Sequence, residues 1–404
     1  MTKKWYENDS LRKECSATVL STKEVGDHFE IVLDGTVIFP EGGGQLSDQG
    51  WIDDIPVYYA AESGDDVRHF THKALPVGEK VTVRLDWDVR LDRMQQHCGE
   101  HMLSYAFWKT CGANNVGFHM NEESVFIDLD KEVDEKTVKE AELSANAAVW
   151  ENHPITLHYV PYTELGKYGL RKKNDKLRGI VRLVDIKEGD TCTCCGTHPP
   201  FTGMVGLIKV IRFNRYKGGS RIEFLCGKRA VEAIHERSRI LEETSNLLSV
   251  KSEEVLPAVE KLHQEVLDLK ASLRERTQDL FQAELPALLE KAPLLASGTR
   301  FVFVLTEGTP RDGKSLMKLL TGKEKILAAL ILKNGDKVMY QFAATKGAEE
   351  RCRDLCTMAG NVFHGRGGGS PTSSQGGGIA GSDWKAQAKA KALEKAMLEA
   401  LNSK

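Results

Sequence analysis

The segment "GDTCTCCGTHPPFTG" (residues 189–203) places three cysteines within four positions and a histidine shortly after them. The cysteines are Cys192, Cys194 and Cys195, and the histidine is His198. Thiols this close together in a cytosolic protein are typical of a metal site or of a redox centre. The choice between the two depends on the partners that the rest of the chain provides.

A second histidine pair supplies such partners. Residues 90–110 ("RLDRMQQHCGEHMLSYAFWKT") carry apolar residues at separations of three and four, which predicts a helix. His97 and His101 are four residues apart and so share one helix face, with Cβ atoms about 5–6 Å apart. This spacing suits two adjacent ligands of a tetrahedral zinc ion.

Cys194 and His198 repeat the same spacing, in a turn that we expect Gly196 to make possible. One thiolate and three imidazoles complete a zinc shell. The sequence therefore predicts one zinc ion per chain, with the ligands His97, His101, Cys194 and His198.

The redox interpretation rests on Cys192 and Cys195, which form a C-x-x-C motif. A thioredoxin-like site places this motif at the start of a helix. Pro199 and Pro200 follow here within a few residues, which argues against such a helix. We expect Cys192 and Cys195 to be bystanders.

"HCGEH" also fits the H-x-x-E-H signature of inverted zinc proteases, with Glu100 as the general base. That alternative leaves the spacing between Cys194 and His198 unexplained. It is therefore disfavoured.

Length and composition limit the classes of protein that are possible. A chain of 404 residues is long for one core, which predicts two or three domains. The net charge of -3 argues against a protein that coats nucleic acid by bulk charge, although it permits a local basic surface. With neither a long apolar run nor an N-terminal signal peptide, we expect a cytoplasmic protein without a membrane span.

The hydropathy pattern predicts an α+β protein with a strand-rich N-terminal part, a zinc-containing α/β domain, a helical hairpin and a C-terminal α/β domain. The predicted boundaries are 1–90 for the strand-rich part with its glycine-rich loop, 91–227 for the zinc domain, 228–292 for the helical segment and 293–404 for the last domain.

The segment 228–292 contains an a/d heptad pattern of apolar residues from Val255 to Leu280. We favour a helical hairpin that closes on itself. A coiled coil that forms a homodimer is the alternative.

Together, "HCGEH", "CCGTH" and the upstream "FPEGGGQLSDQG" (39–50) resemble the alanyl-tRNA editing family, which is similar to the editing domain of alanyl-tRNA synthetase. The resemblance covers roughly residues 1–230. It implies that the strand-rich part is a β-barrel and that the zinc domain is an editing domain. A weaker one, "GRGGGSPTSSQGGG" (365–378), resembles the synthetase's C-terminal domain and indicates the long form of the family.

This resemblance implies hydrolysis, in trans, of the ester between a wrong amino acid and tRNA(Ala). Serine is the expected amino acid and glycine a second one. A tRNA-binding protein with a structural zinc ion and no turnover is the alternative function.

For two residues near the predicted zinc, the sequence leaves two roles open. Glu100 is a position that the family pattern leaves open, and we expect a solvated helix residue there; a carboxylate that alters water activation is the alternative. His119 lies on a strand that by resemblance faces the metal, and it is either a substrate-pocket residue or a surface histidine.

Further residues are expected to contact the substrate or tRNA. Gly42, Gly43, Gly44 and Gln45 are expected near the acceptor end of the tRNA, where bulky side chains would block the approach. Basic residues on both sides of the cysteine motif are expected to contact phosphates, which predicts that binding falls steeply with salt. They are Arg171, Lys172, Lys173, Lys176 and Arg178, and then Lys209, Arg212, Arg215, Lys217 and Arg221. The motif containing Gly367, Gly368 and Gly369 is expected either to contact tRNA or to form a dimer contact.

Overall fold

The computed structural model describes residues 1–171, 177–379 and 386–403. Two compact units divide the chain, Met1–Thr244 and Ser245–Lys404. Each unit contains both helices and β-sheet, so the mixed α and β class is confirmed. The finer predicted boundaries at residues 90, 227 and 292 stay predictions. Across the described ranges, no helix has the length and apolar character needed to cross a membrane.

The first unit begins with strands β1 (Lys3–Lys4), β2 (Glu14–Val25), β3 (His28–Leu33), β4 (Gly35–Thr36), β5 (Gly50–Ile52), β6 (Ile55–Val57), β7 (Tyr59–Ser63), β8 (Asp66–Thr71) and β9 (Lys80–Leu85). Seven of them form a sheet in the order β6-β5-β9-β2-β3-β8-β7. Strands β6 and β7 stand at opposite ends of that order, yet only Tyr58 separates them in the chain. The sheet must therefore curl until its edges meet, which gives the nearly closed barrel that the sequence predicts.

Alternation of side chains builds the barrel core. In β9, Val81, Val83 and Leu85 are buried while the residues between them are exposed. The period of two puts one face of each strand on the core and the other in solvent.

The remainder of the first unit, up to the cysteine motif and beyond, consists of α1 (Trp87–Cys111), β10 (Asn115–Met120), β11 (Val125–Leu129), α2 (Glu135–Trp150), β12 (Ile155–Pro161), β13 (Ile180–Ile186), β14 (Thr191–Thr193), β15 (Ile208–Tyr216) and β16 (Gly219–Cys226). Its strands form a four-stranded sheet, β10-β11-β16-β15, and a three-stranded sheet, β12-β13-β14. Helices α1 and α2 share one hydrophobic core with the four-stranded sheet.

Helix α1 confirms the helix predicted over residues 90–110 and begins three residues earlier. The Asp86 side chain accepts hydrogen bonds from the backbone N–H groups of Asp88 and Val89, which caps the helix at its start. Gly112 ends it with φ of +66°, a left-handed conformation that glycine adopts without strain. Both ends of the predicted histidine helix are thus fixed by local sequence.

The remaining elements are α3 (Gly227–Leu248), α4 (Val255–Lys291), β17 (Arg300–Glu307), α5 (Pro310–Leu320), β18 (Ile326–Asn334), β19 (Lys337–Ala344), α6 (Cys352–Val362), β20 (Arg366–Gly369), β21 (Ser373–Ile379) and α7 (Ala386–Asn402). The five-stranded sheet of the second unit has the order β17-β18-β19-β21-β20. Strands β17 and β18 are parallel, and the other pairs are antiparallel.

Helices α3 and α4 occupy the segment that the sequence predicts to be helical. Several apolar residues of the heptad pattern on α4 are exposed, among them Leu262, Leu269 and Leu273. The choice between a closed hairpin and a homodimeric coiled coil stays a prediction.

Candidate metal centre

The four residues predicted as zinc ligands converge in one cluster of the first unit. His97 and His101 lie one turn apart on α1, whereas Cys194 and His198 lie in the loop after β14. One ligand atom from each of the four lies within 4.8 Å of the ligand atoms of the other three. All three histidines are buried and Cys194 is partly buried.

The spacing of these side chains fits a tetrahedral ion. The ring centres of His97, His101 and His198 are 5.0, 4.9 and 4.9 Å apart. Three imidazoles bound to zinc at about 2.1 Å would hold their ring centres about 5 Å apart. Cys194 Sγ lies 2.9 Å from His97 Nε2 and 3.4 Å from His198 Nε2. One ion can therefore be reached by all four side chains.

The electrostatics at Cys194 and His198 favour the forms that bind metals. At His101, burial alone would lower the pKa of the ring, but the neighbouring groups, Cys192 first, raise it well above its ordinary value. Burial alone would raise the pKa of the Cys194 thiol, but the surrounding imidazoles, His97 first, hold it well below its ordinary value. Burial lowers the pKa of His198 to about 3, so its ring is neutral at physiological pH. A thiolate and a neutral imidazole are the protonation states that metal binding requires.

Gln45 holds the loop between Cys194 and His198. Its Nε2 donates to Thr197 Oγ1 at 2.8 Å, and its Oε1 accepts from the Thr197 backbone N–H at 2.9 Å. Gln45 is fully buried. Both ends of the Gln45 amide are thus bound to this loop, and its expected position near the acceptor end of the tRNA stays a prediction.

Two more side chains hold the same loop through its carbonyl groups. Arg182 Nη1 donates to the carbonyl oxygens of Cys194 and Gly196, both at 2.8 Å. Ser10 Oγ donates to the carbonyl oxygen of His198 at 2.6 Å. These contacts come from distant parts of the sequence, and no local motif indicates them.

Gly196 is required for a different reason from the one expected. Its φ is not in the left-handed region, so the turn itself does not demand glycine. A Cβ atom at this position would lie 2.5 Å from His97 Nε2 and 2.8 Å from Gln45 Oε1. The glycine leaves room for a ligand imidazole and for the Gln45 amide.

A cavity of about 520 Å³ opens beside the cluster, and its wall includes His97, His101 and Cys194. Gly43 of the glycine-rich loop also lines it. The neighbouring Gly44 has φ of +83°, and a Cβ there would lie 2.6 Å from the Phe118 ring. The glycine-rich loop thus lies against the metal site, close enough that side chains would collide with it.

Glu100 lies in the cavity wall and is only 6% exposed, so the expectation of a solvated helix residue is wrong. Its Oε1 accepts hydrogen bonds from Ser104 Oγ at 2.7 Å and from Asn115 Nδ2 at 2.6 Å. Its Oε2 lies 3.7 Å from His101 Nε2. A fixed carboxylate therefore stands beside the predicted zinc.

Comparison with known proteins extends this picture. Residues 181–223 match the family described as "Threonyl and Alanyl tRNA synthetase second additional domain". Over 385 residues the chain is 29% identical to the alanyl-tRNA editing protein AlaX-L of Pyrococcus horikoshii, covering 93% of this chain and 94% of that protein. It is 28% identical to the alanyl-tRNA editing protein Aarsd1 of Rattus norvegicus, covering 92% of each chain.

This chain is similar to alanyl-tRNA editing proteins. The expected resemblance is thereby confirmed over nearly the whole length of both relatives. The alanine–tRNA ligase of Thermococcus kodakarensis is 31% identical over 389 residues, which cover 93% of this chain but only 41% of the ligase. A solved C-Ala domain of Aquifex aeolicus alanyl-tRNA synthetase matches 28% of this chain at 21% identity with a TM-score of 0.23, too low to establish a common fold.

His119 is placed away from the cavity. Its side chain is 61% exposed, and its Nε2 lies 3.7 Å from Asp128 Oδ2. The neighbouring Phe118 lines the cavity instead, with its ring centre 5.7 Å from that of His97. Alternate side chains of a strand point to opposite faces, so His119 is a surface histidine, the second of its two expected alternatives.

Arg171 is not a free phosphate contact. Its side chain is 6% exposed, and it makes two hydrogen bonds of 2.8 Å to Asp190. The expectation of a surface contact with tRNA is therefore corrected for this residue. Lys172, Lys173 and Lys176 lie outside the described residues.

The second expected basic cluster is engaged in ion pairs or aromatic contacts within the protein. Its members are Lys209 with Glu142, Arg212 with Glu223, Arg215 with Glu132, Arg221 with Asp128, and Lys217 above the ring of Tyr216. Because carboxylates neutralise most of these cations, the cluster is a weaker phosphate surface than its sequence indicates.

Sequence reasoning missed Asp190, which is 1% exposed and lies beside His101. Burial would raise the pKa of Asp190, but hydrogen bonds from Arg171 and His101 lower it to about 2. Cys192, expected to be a bystander, lies 3.0 Å from His101 Nδ1. Burial raises the pKa of Cys192 to about 12, so it remains a thiol.

The C-terminal glycine motif is part of the second unit's sheet. A Cβ on Gly367 would lie 2.6 Å from Cys356 Sγ, and one on Gly369 would lie 2.3 Å from the Ser373 carbonyl oxygen. Gly368 has open space beside it. Close packing thus accounts for two of these three glycines, while their contact with tRNA or with a second copy stays a prediction.

Proposed function

We propose that this chain is a trans-editing aminoacyl-tRNA deacylase that acts in the cytoplasm. It hydrolyses the ester between tRNA(Ala) and a wrong amino acid, chiefly serine, with glycine as a second substrate. The observation that carries the proposal is the cluster of one cysteine and three histidines beside a cavity of about 520 Å³. That volume lies in the range of small-ligand pockets, about 300–1,000 Å³.

His97, His101, Cys194 and His198 would hold one zinc ion, because their spacing fits a tetrahedral site. A zinc ion bound there would supply Lewis-acid polarisation and a bound water of lowered pKa. The four side chains are otherwise ready ligands: three buried imidazoles and a thiol whose pKa is depressed.

The cavity wall contributes groups suited to an aminoacyl ester. Glu100 presents Oε2, the oxygen not used by Ser104 and Asn115, and we propose that it attracts the substrate's ammonium group or the attacking water. A charged acceptor makes a strong hydrogen bond in a site shielded from solvent. Gly43 keeps the opposite wall clear of side chains.

Recognition of tRNA is a separate part of the proposal. Lys172, Lys173 and Lys176, together with Arg178, follow the buried Arg171 and would contact phosphates. The motif containing Gly367, Gly368 and Gly369 would provide a second contact with tRNA in the other unit. A homodimer through the heptad pattern of α4 is compatible with these contacts and is part of the same proposal.

The test is a deacylation time course on Ser-tRNA(Ala), with Ala-tRNA(Ala) and Ser-tRNA(Ser) as control substrates. The wild-type protein should release serine from the mischarged tRNA alone. Cys194→Ala should lose this activity by at least about 1,000-fold, because it removes a metal ligand. Cys195→Ala is the matched control, since the neighbouring thiol is exposed and should be dispensable.

Equal release of amino acid from all three substrates would contradict the proposed specificity. No release from any of them, with tRNA binding intact, would favour the alternative of a non-catalytic tRNA-binding protein with a structural zinc ion.

A further inference from the structure

The three ligand histidines differ in what holds the nitrogen that faces away from the cluster. His101 Nδ1 lies 3.1 Å from Asp190 Oδ2. His97 Nδ1 and His198 Nδ1 are buried, and neither has a hydrogen-bond partner within the described ranges. Only His101 is therefore oriented by a partner at its second nitrogen.

The contact with Asp190 also fixes which nitrogen of His101 reaches the cluster. Because Nδ1–H donates to a carboxylate, the lone pair of the ring resides on Nε2. Histidines bound to metals usually donate their other N–H to a carboxylate or carbonyl, which sets the ring orientation. Among the three histidines, and within the described residues, only His101 has such a partner at its second nitrogen.

Arg171 holds Asp190 in turn. Arg171 Nε donates to Asp190 Oδ1 and Nη2 donates to Oδ2, both at 2.8 Å. Two parallel hydrogen bonds from a guanidinium fix the plane of a carboxylate. This series of contacts, from Arg171 to Asp190 to His101, thus ends at a proposed metal ligand.

Cys192 is the competing partner of His101 Nδ1, at 3.0 Å. Sulfur is a weak hydrogen-bond acceptor compared with a carboxylate oxygen. Asp190, whose carboxylate plane is also fixed by Arg171, therefore dominates the orientation of the ring.

We propose that Asp190, itself held by Arg171, is a positioning residue that orients the His101 imidazole so that Nε2 binds the metal. This inference rests on the proposed metal centre. It also explains why a basic residue expected at the tRNA surface is buried instead.

The experiment compares zinc affinity in folded apo-protein, measured by competition with a chromophoric chelator. Asp190→Asn should weaken zinc binding by about 10–100-fold, the range found when such partners of ligand histidines are removed. The same variant loaded with cobalt(II) should show a changed visible absorption spectrum. Arg171→Lys keeps the positive charge but loses the bidentate geometry, so it should weaken zinc binding to a smaller extent.

Asp128→Asn is the matched control. Arg221 donates to Asp128 through Nε at 2.7 Å and through Nη2 at 2.8 Å, the same geometry as in the Arg171–Asp190 pair. Asp128 touches none of the four ligands, so its substitution should leave zinc affinity and the cobalt spectrum unchanged.

A measurement on the unaltered protein avoids any failure of a variant to fold. In ¹⁵N-histidine NMR of the zinc-loaded protein, the Nδ1–H proton of His101 should exchange with solvent more slowly than those of His97 and His198. Equal exchange at the three rings would overturn the proposal, as would wild-type zinc affinity and spectrum in folded Asp190→Asn. If the wild-type protein binds no zinc, the metal centre of the proposed function fails as well, which distinguishes the two failures.

Discussion

The two halves of the metal centre are built by different means. His97 and His101 are presented by α1, in which each turn is fixed by the helix's own hydrogen bonds. Cys194 and His198 belong to a loop whose position depends on contacts with Gln45, Arg182 and Ser10. The helix carries its geometry within its sequence, whereas the loop takes its geometry from the barrel and from β13.

This difference has a physical cause. A helical spacing of four residues places two side chains on one face wherever the helix forms. A loop has no such internal constraint, and its backbone groups must find partners elsewhere once they are buried. We therefore expect substitutions in the loop and its supports to lower metal affinity, and substitutions in the packing of α1 to lower stability.

The largest effect should come from Gly196→Ala. The new Cβ would lie 2.5 Å from His97 Nε2, so a ligand ring or the loop must move. A displacement of about 1 Å in such a site costs about 100-fold, and we expect a loss of zinc affinity and of deacylation of at least that size. Chelator competition and the deacylation time course would measure it. Wild-type zinc affinity in this variant would show that the loop adapts freely, and the comparison would fail.

A smaller loss is expected for Gln45→Ala, which leaves the buried N–H of Thr197 without its acceptor. An unsatisfied buried group costs about 1–3 kcal/mol, and a shift of the loop to relieve it should weaken zinc binding about tenfold. The matched control is Gln96→Ala, because the buried Gln96 amide also pairs with a single residue: it donates to the backbone carbonyl of Cys226 and accepts from its backbone N–H. Both variants should lower the melting temperature, but only Gln45→Ala should change zinc affinity. An equal change in both would contradict the distinction between loop and helix.

The smallest effect on the metal should come from Gly99→Ala on α1. Its Cβ would lie 2.2 Å from Cys226 Sγ, so the core must repack. Overpacking costs about 1–3 kcal/mol, offset by about 1 kcal/mol of better helix propensity. Urea unfolding should show a net loss of about 1 kcal/mol, while zinc affinity of the folded protein stays at the wild-type value. A large loss of zinc affinity without loss of stability would reverse the expectation.

Sequence patterns singled out four residues that the fold brings together, because each pair has a local signature. The i, i+4 histidines and the C-x-x-x-H spacing each keep their ligands close in the chain. Glu100 was misjudged because its neighbours on the helix do not reveal that Ser104 and Asn115 enclose it. Whether one helix position is buried depends on what packs against it. The neighbouring residues in the sequence do not show which parts of the chain will do so.

Other errors have the same origin. Arg171 belongs to a basic stretch that indicates a solvated surface, yet its partner Asp190 is 19 residues away in the chain. For His119 the sequence left a pocket residue and a surface histidine open, and the pleat decides by placing Phe118 at the cavity instead. In each case the sequence singled out the residue but did not show the direction of its side chain.

By itself, the sequence determined the four metal-ligand candidates, the barrel strands, the histidine helix with its caps, and the resemblance to the editing family. These features depend on periodicity and spacing within a few residues, which local hydrogen bonds and side-chain geometry enforce. Only the tertiary structure decided that Gln45 supports the metal loop, that Gly196 provides clearance and that Asp190 contacts His101. Those contacts join residues distant in the chain, and they form only when the barrel, α1 and the β13–β14 hairpin are packed together.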